Sequence, residues 1–184
     1  MGDHAKGRLV VAMRTNRFAV SLEGIEAYLF DQEAKIFVDI ANDLRAIIET
    51  PALGDDPVRE RLFPRAYLDP TEETAEMTWA AFAHPELLES RVATFVMLIK
   101  TLERLEPAPL DRDAGEMKYV LLSPEETESW LKGLNDLRLA LGTRLNIQDE
   151  QENTQSVDPH VALREIYDWL TYLQQDLLEQ VYLS

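Results

Sequence analysis

The sequence predicts a mainly α-helical fold: four long helices packed as a bundle, with a small amino-terminal β-hairpin and a third short strand as a minor β element. Three observations predict it. A helix-capping residue stands before proline at Asp56-Pro57, Asp69-Pro70, Ser123-Pro124 and Asp158-Pro159. Such a side-chain oxygen accepts from the orphan N–H groups of a first turn, and proline at the first helical position loses no hydrogen bond. Apolar residues then recur in steps of three and four, the period of one helix face. Outside these stretches lie a few short runs rich in Val and Leu, bounded by turn residues, which read as strands.

Taken in order, Arg8 to Met13 and Arg17 to Leu22 flank Thr15-Asn16 and read as a hairpin. Ile25, Leu29, Ile36, Ile40, Leu44 and Ile47 mark a first helix. Asp69 with Glu72, like Ser123 with Glu126, has the spacing of a capping box. His84-Pro85 reads as a helix break, followed by the stripe Leu88, Val92, Phe95, Ile99 and Leu102. Met117 to Leu122 (MKYVLL) is the third strand, ending at the Ser123 cap. After that cap come Trp130, Leu134, Leu137, Leu141 and Leu145, and after Asp158-Pro159 come Leu163, Ile166, Leu170, Leu173, Leu177 and Val181. No such stripe buries itself alone, so the helices must pack on one another.

The chain of 184 residues, 46% of them apolar, is of single-domain size and large enough to form its own core. Residues 1–184 are read as one domain in which 146–157 (NIQDEQENTQSV) forms a mobile acidic loop. There is no cysteine, which excludes disulfides and thiolate chemistry within these residues and fits a reducing cytoplasm. No apolar run approaches the about 20 residues of a membrane span, and no signal peptide is evident. With 34 acidic against 18 basic residues the formal charge is −16, a surface that repels nucleic acid and anionic lipid.

Chemistry is sparse. His4, His84 and His160 stand in no metal-ligand spacing, and no nucleophile elbow or phosphate-binding glycine loop is present. The clusters Glu72-Glu73-Glu76 and Glu125-Glu126-Glu128 fall in first helical turns, where they complement the helix dipole. No metal and no cofactor is expected, and a small-molecule ligand is left open.

Two features remain. In WLKGLNDLRLALGTRLNI (130–147), Arg138 and Arg144 lie roughly 60° to either side of the apolar stripe, with Asn135 and Gly142 in the Arg138 row. They suit either a packing seam, with arginine bonded to a carboxylate such as Asp136 or Asp168, or a clamp for an anion or a peptide carboxylate. In the last helix Trp169 and Tyr172 point roughly 60–180° away from the stripe centre near Leu170, toward either the hairpin or a partner. The candidate binding residues are therefore Trp130, Asn135, Asp136, Arg138, Arg144, Asp168, Trp169 and Tyr172.

The segments WLKGLNDLRLALGTRL (130–145) and IYDWLTYLQQDLLEQVYL (166–183) carry a resemblance to a known family. The matching residues are Trp130, Asn135, Asp136, Arg138, Leu139, Gly142, Thr143, Arg144, Tyr167, Asp168 and Trp169. The chain resembles the actinobacterial family called domain of unknown function two thousand and seventeen over nearly its whole length. That resemblance implies an actinobacterial cytoplasmic protein, a gene neighbourhood with a ClpS-type adaptor of the Clp protease, and, for some members, a transcriptional-regulator label. The expected function is a non-enzymatic interaction or regulatory module, linked to proteolysis or quality control, with a protein partner or a homodimer. The alternatives are an enzyme or anion-binding protein with an arginine–carboxylate pocket, and a DNA-linked regulator, which the charge disfavours.

Overall fold

The computed structural model describes residues 16–50, 56–109, 116–145 and 161–183. Arg8 to Met13, the Asp158-Pro159 start and the acidic loop 146–157 lie outside them. The order is β1 (Phe18–Val20), β2 (Ile25–Phe30), α1 (Asp31–Glu49), α2 (Pro57–Leu62), a 3-10 turn (Pro70–Glu72), α3 (Glu73–Leu102), β3 (Glu106–Pro107), β4 (Met117–Leu122), α4 (Pro124–Arg144) and α5 (Val161–Leu183). Four of the helices are long, as expected, and a small four-stranded antiparallel sheet accompanies them in the order β1-β2-β4-β3. None of the described helices is long and apolar enough to cross a membrane.

The strand Met117–Leu122 has the expected bounds. The hairpin is placed differently. Its described strands are β1 and β2, paired Phe18 with Ala27 and Val20 with Ile25, and joined through Ser21–Gly24 rather than Thr15-Asn16. The Ser21 amide donates to the Gly24 carbonyl at 2.8 Å. Gly24 has φ +148°, and a Cβ there would lie 2.7 Å from the Leu122 carbonyl oxygen, so glycine is required. Ile25 and Leu29, expected on the first helix, belong to β2. They are four apart, which fits a helix face, but Ile25, Ala27 and Leu29 also alternate, and pairing with β4 selects the strand. Helix α1 starts at Asp31, where the Glu33 carboxylate accepts the Phe30 amide at 2.9 Å.

His84-Pro85 does not break a helix either. Helix α3 runs through Pro85 without interruption. Proline at 85 removes the donor that would bond the Ala81 carbonyl, and Ala81 and Pro85 both face solvent, where water substitutes. Helix α4 begins as expected: Ser123 Oγ accepts the Glu126 amide at 3.2 Å and Glu126 accepts the Ser123 amide at 2.9 Å. At Asp69 the side chain caps the 3-10 turn by accepting from the Thr71 amide at 2.8 Å, and α3 proper starts at Glu73.

The core gathers Phe18, Leu29, Phe37, Ile48, Leu62, Phe95, Leu98, Leu122, Trp130, Leu134, Leu170, Leu173 and Leu177 from the sheet and all five described helices. Helix α4 is its centre. Gly133 lets α3 approach, since a Cβ there would come within 2.7 Å of Leu98 Cδ1. Helices α3 and α4 run antiparallel: Leu98 lies against Gly133, while Arg91 pairs with Asp136 one turn further along. The amino-terminal half of α3 consequently extends past the end of α4.

Candidate functional site on the overhang of helix α3

The residues singled out from the sequence spread over several environments. Trp130 is fully enclosed, edge-on to Phe18 and Phe37 at centroid distances of 5.9 and 5.3 Å. Trp169 is equally enclosed, and its ring meets Phe37 at 5.8 Å. Its off-stripe position is filled by α1 of the same chain. Arg138 lies along α5, with Nε donating to Thr171 Oγ1 at 2.8 Å, one terminal nitrogen donating to Gln174 Oε1 at 2.6 Å, and the guanidinium 5.5 Å from the Tyr167 ring centroid. Gly142 makes room for the same Tyr167 ring. Arg144 pairs with Asp56 at 2.7 Å. Asp136 is buried against Arg91. Asn135 and Asp168 are exposed, and Tyr172 is half-buried.

These eight residues therefore form no common cleft. Arg138 bonds neutral partners, Arg144 takes the cap of α2 as its carboxylate, and the row through Arg138 and Gly142 is the seam between α4 and α5. Burial pushes the Asp56 carboxyl up, but the Val58 amide and Arg144 outweigh it and hold the group below the ordinary aspartate value. Although Asp168 is exposed as a residue, partial desolvation of its carboxyl raises it, against the opposing pull of Arg164.

A buried charged network closes the other end of the bundle. Arg17, fully enclosed, donates to Glu33 Oε1 at 2.9 Å. The amides of Arg17 and Phe18 both donate to Asp176 Oδ2, at 2.5 and 3.1 Å. Burial raises the Asp176 carboxyl and the Glu33 carboxyl, and lowers the Arg17 guanidinium, each opposed by its partners. With Glu33 bonded to Arg17 and the Phe30 amide, and Asp176 Oδ2 to the Arg17 and Phe18 amides, this cluster ties the start of β1 to α1 and α5. No group of three or more His, Asp or Glu side chains placed to hold a metal occurs among the described residues.

The accessible feature lies elsewhere, on the overhang. Ala75, Trp79, Phe82 and Glu86 sit at i, i+4, i+7 and i+11 on α3, a stripe turned roughly 160° from the Phe95–Leu98–Leu102 face that enters the core. With Tyr67, Thr71 and Glu72 from the preceding loop, and Thr74, Thr78 and Ala83 beside the stripe, they line an open trough of about 920 Å³. Phe82 is 78% exposed and Leu68 82%.

The trough is built rather than frayed. Glu76 is buried and accepts the Ala66 and Tyr67 amides at 3.0 and 2.9 Å, tying the loop to the helix. Arg65 pairs with Glu73 at 2.5 Å. The His84 ring is wedged edge-on between Trp79 (5.3 Å) and Phe63 (5.7 Å), which fixes the wall under the stripe. The Glu72-Glu73-Glu76 cluster thus divides its work: one carboxylate holds the loop, one an arginine, and Glu72 is left on the rim.

Sequence reasoning missed this site. A helix start was read at Asp69-Pro70, but the break at His84-Pro85 cut it short and no stripe was sought before it, although the spacing of Ala75, Trp79, Phe82 and Glu86 was there to be found.

The fold places the chain in the class of mainly α-helical domains with a minor antiparallel sheet. A family profile described as Domain of unknown function (DUF2017) matches residues 13–181, and the chain belongs to that family. It is similar to the Oxidative stress regulator AosR of Mycobacterium tuberculosis and of Mycobacterium bovis, 27% identical over 135 residues that cover 67% of this chain and 57% of each relative. The Putative oxidative stress regulator AosR of Mycobacterium leprae is 26% identical over 136 residues, 67% of this chain and 58% of that protein. The chain spans a little over half the length of the curated relatives it matches. No solved structure matches it.

Proposed function

We propose that the chain is a regulatory module of the oxidative-stress response that works by binding another protein through the overhang of α3. The observation that carries this reading is the Trp79–Phe82 stripe, in which exposed Phe82 stands beside half-buried Trp79 and which a wedged histidine and a clamped loop hold in shape. Monomeric domains rarely leave such a patch to solvent without a use for it. The name of the mycobacterial relatives supports the regulatory setting. The formal charge of −16 favours regulation through a protein over direct binding of DNA. The 184 residues hold no cysteine, so thiol oxidation within them is not the signal; the module conveys a state sensed by other means. A position beside adaptor-linked proteolysis, which the family resemblance implies, is one setting for such a module.

The test is genetic and physical together. Phe82→Glu, with circular dichroism and melting temperature matching wild type, is expected to fail to restore oxidant resistance to a strain lacking the gene. Full restoration by this variant would overturn the reading.

A further inference from the structure

We infer that the α3 trough receives an amphipathic helix of another protein whose apolar face is flanked by lysine or arginine. This rests on the interaction reading above and adds the chemistry of the partner. From Ala75 to Glu86 the stripe is about 16 Å long at 1.5 Å per residue, the length of a three-turn helix. Its middle is apolar: Phe82 stands up from the helix beside the half-buried Trp79 ring, and Ala75 and Ala83 next to them leave room for a partner side chain to descend. Helix-in-groove recognition uses anchors at this spacing.

The ends are acidic. Glu72 closes one end of the trough and Glu86 the other, with exposed Glu89 one turn beyond on the same face. No lining residue is basic. Glu72 and Glu86 form no ion pair within the chain among the described residues, whereas the neighbouring Glu73 is paired with Arg65 and Glu76 with two amides. Unpaired carboxylates at both ends of an apolar floor select cations at both ends of an apolar ligand, and set the orientation and the rate of encounter.

Charge also ranks the other occupants. A second copy would bring its own Glu72 and Glu86 against these, on a chain already at −16. The segment 146–160 carries Asp149, Glu150, Glu152 and Asp158 and no lysine or arginine. An anionic membrane is repelled for the same reason. Residues 1–15 contain Lys6, Arg8 and Arg14 around an apolar run, but the chain enters the body at Arg17, next to the start of α4, while the trough lies past the end of α4.

Fluorescence anisotropy with the full chain tests this. Three labelled peptides share a helical design: leucines on one face with lysines at both ends, the same face with glutamates at both ends, and the lysine ends with serines in place of leucines. The first is expected to bind at least about tenfold more tightly than either of the others, each tenfold being about 1.4 kcal/mol. Phe82→Glu is expected to weaken it at least about tenfold although it adds a negative charge, and Glu72→Gln with Glu86→Gln to weaken it and flatten its salt dependence. Equal binding by wild type and Phe82→Glu would mean that net charge alone attracts the peptide and would sink the inference. So would light scattering that shows a dimer dissolved by Phe82→Glu, or tenfold tighter peptide binding once residues 1–15 are deleted. If Phe82→Glu fails in cells while no peptide shows a preference for basic ends, the partner chemistry falls and the interaction surface stands; if Phe82→Glu works in cells, the surface itself falls.

Discussion

The two halves of helix α3 have comparable apolar content and opposite fates. In the carboxyl-terminal half Thr94, Phe95, Leu98, Thr101 and Leu102 are buried against α1, α4 and the sheet. In the amino-terminal half only Glu76 is buried, while Met77 and Phe82 are open to solvent. The difference comes from reach. Helix α3 has 30 residues, about 45 Å at 1.5 Å per residue, and α4, its main support, has 21 and begins further back along the shared axis. A helix that outlasts its support must either fray or find another brace. Here the loop 63–69 supplies it through Glu76, Arg65 and the Phe63–His84–Trp79 stack. Phe82 in the braced overhang is therefore free for the binding proposed above, whereas Phe95 in the supported half contributes to stability.

That comparison can be broken by substitution. The largest expected effect is Phe95→Ala, which removes a fully buried ring at the centre of the supported half and should lower unfolding free energy by about 3–5 kcal/mol in denaturant titration. A value below about 1 kcal/mol would mean that this half is not the core. Next is Asp136→Ala at the point where the helix leaves the body. Arg91 bonds Asp136 and the Leu62 carbonyl at 3.0 Å, so the change strands a guanidinium in a mostly enclosed site. A loss of about 3 kcal/mol is expected, with faster amide exchange in the overhang than in the supported half.

Pro85→Ala should act in the opposite direction. It restores a donor to the Ala81 carbonyl and should stabilise by up to about 3 kcal/mol, the interior helix penalty of proline. Destabilisation would mean that proline at position 85 is needed to seat His84 on Phe63.

The buried network sets a smaller, pH-dependent effect. Asp176 has a folded-state value above its unfolded one, because burial outweighs the two amides it accepts. A group raised in this way favours the folded state fully below its unfolded value, and that contribution is lost as pH rises through the folded value. Asp176→Asn keeps an oxygen for the Arg17 and Phe18 amides and abolishes the titration. Its stability relative to wild type should therefore rise as pH increases through the upper carboxylate range; a difference independent of pH would refute the sign. The smallest change in stability is expected for Phe82→Glu, within about 0.5 kcal/mol of wild type because the ring is 78% exposed. Its effect belongs to binding.

Much of this was legible locally. The Ser123–Glu126 capping box, the Asp56-Pro57 start and the bounds of Met117–Leu122 depend on residues within a few positions of one another, and each stands as read. The stripes of α4 and α5 point inward because period 3.6 places Leu134, Leu137, Leu170, Leu173 and Leu177 on one side of each helix. What failed was each case with two local solutions. Ile25 to Leu29 fits both periods, and only pairing with β4 decides for the strand. Proline at 85 ends most helices, and only solvent at Ala81 together with the wedge of Phe63 and Trp79 on His84 keeps this one whole. Arg138, Arg144, Trp130 and Trp169 looked like a site because arginine and tryptophan serve recognition and packing equally well. Their partners, Thr171 with Gln174, Asp56, and Phe37 with Phe18, lie between 33 and 132 residues away along the chain.

By itself, then, the sequence determined the number and sidedness of the long helices, the cap of α4 and the net negative charge, because periodicity, capping and net charge are properties of neighbouring residues or of composition. Only the tertiary structure decided which aromatics are core and which are surface. Burial depends on whether another element reaches that far, and the offset between α3 and α4 is written in no single stretch of the chain.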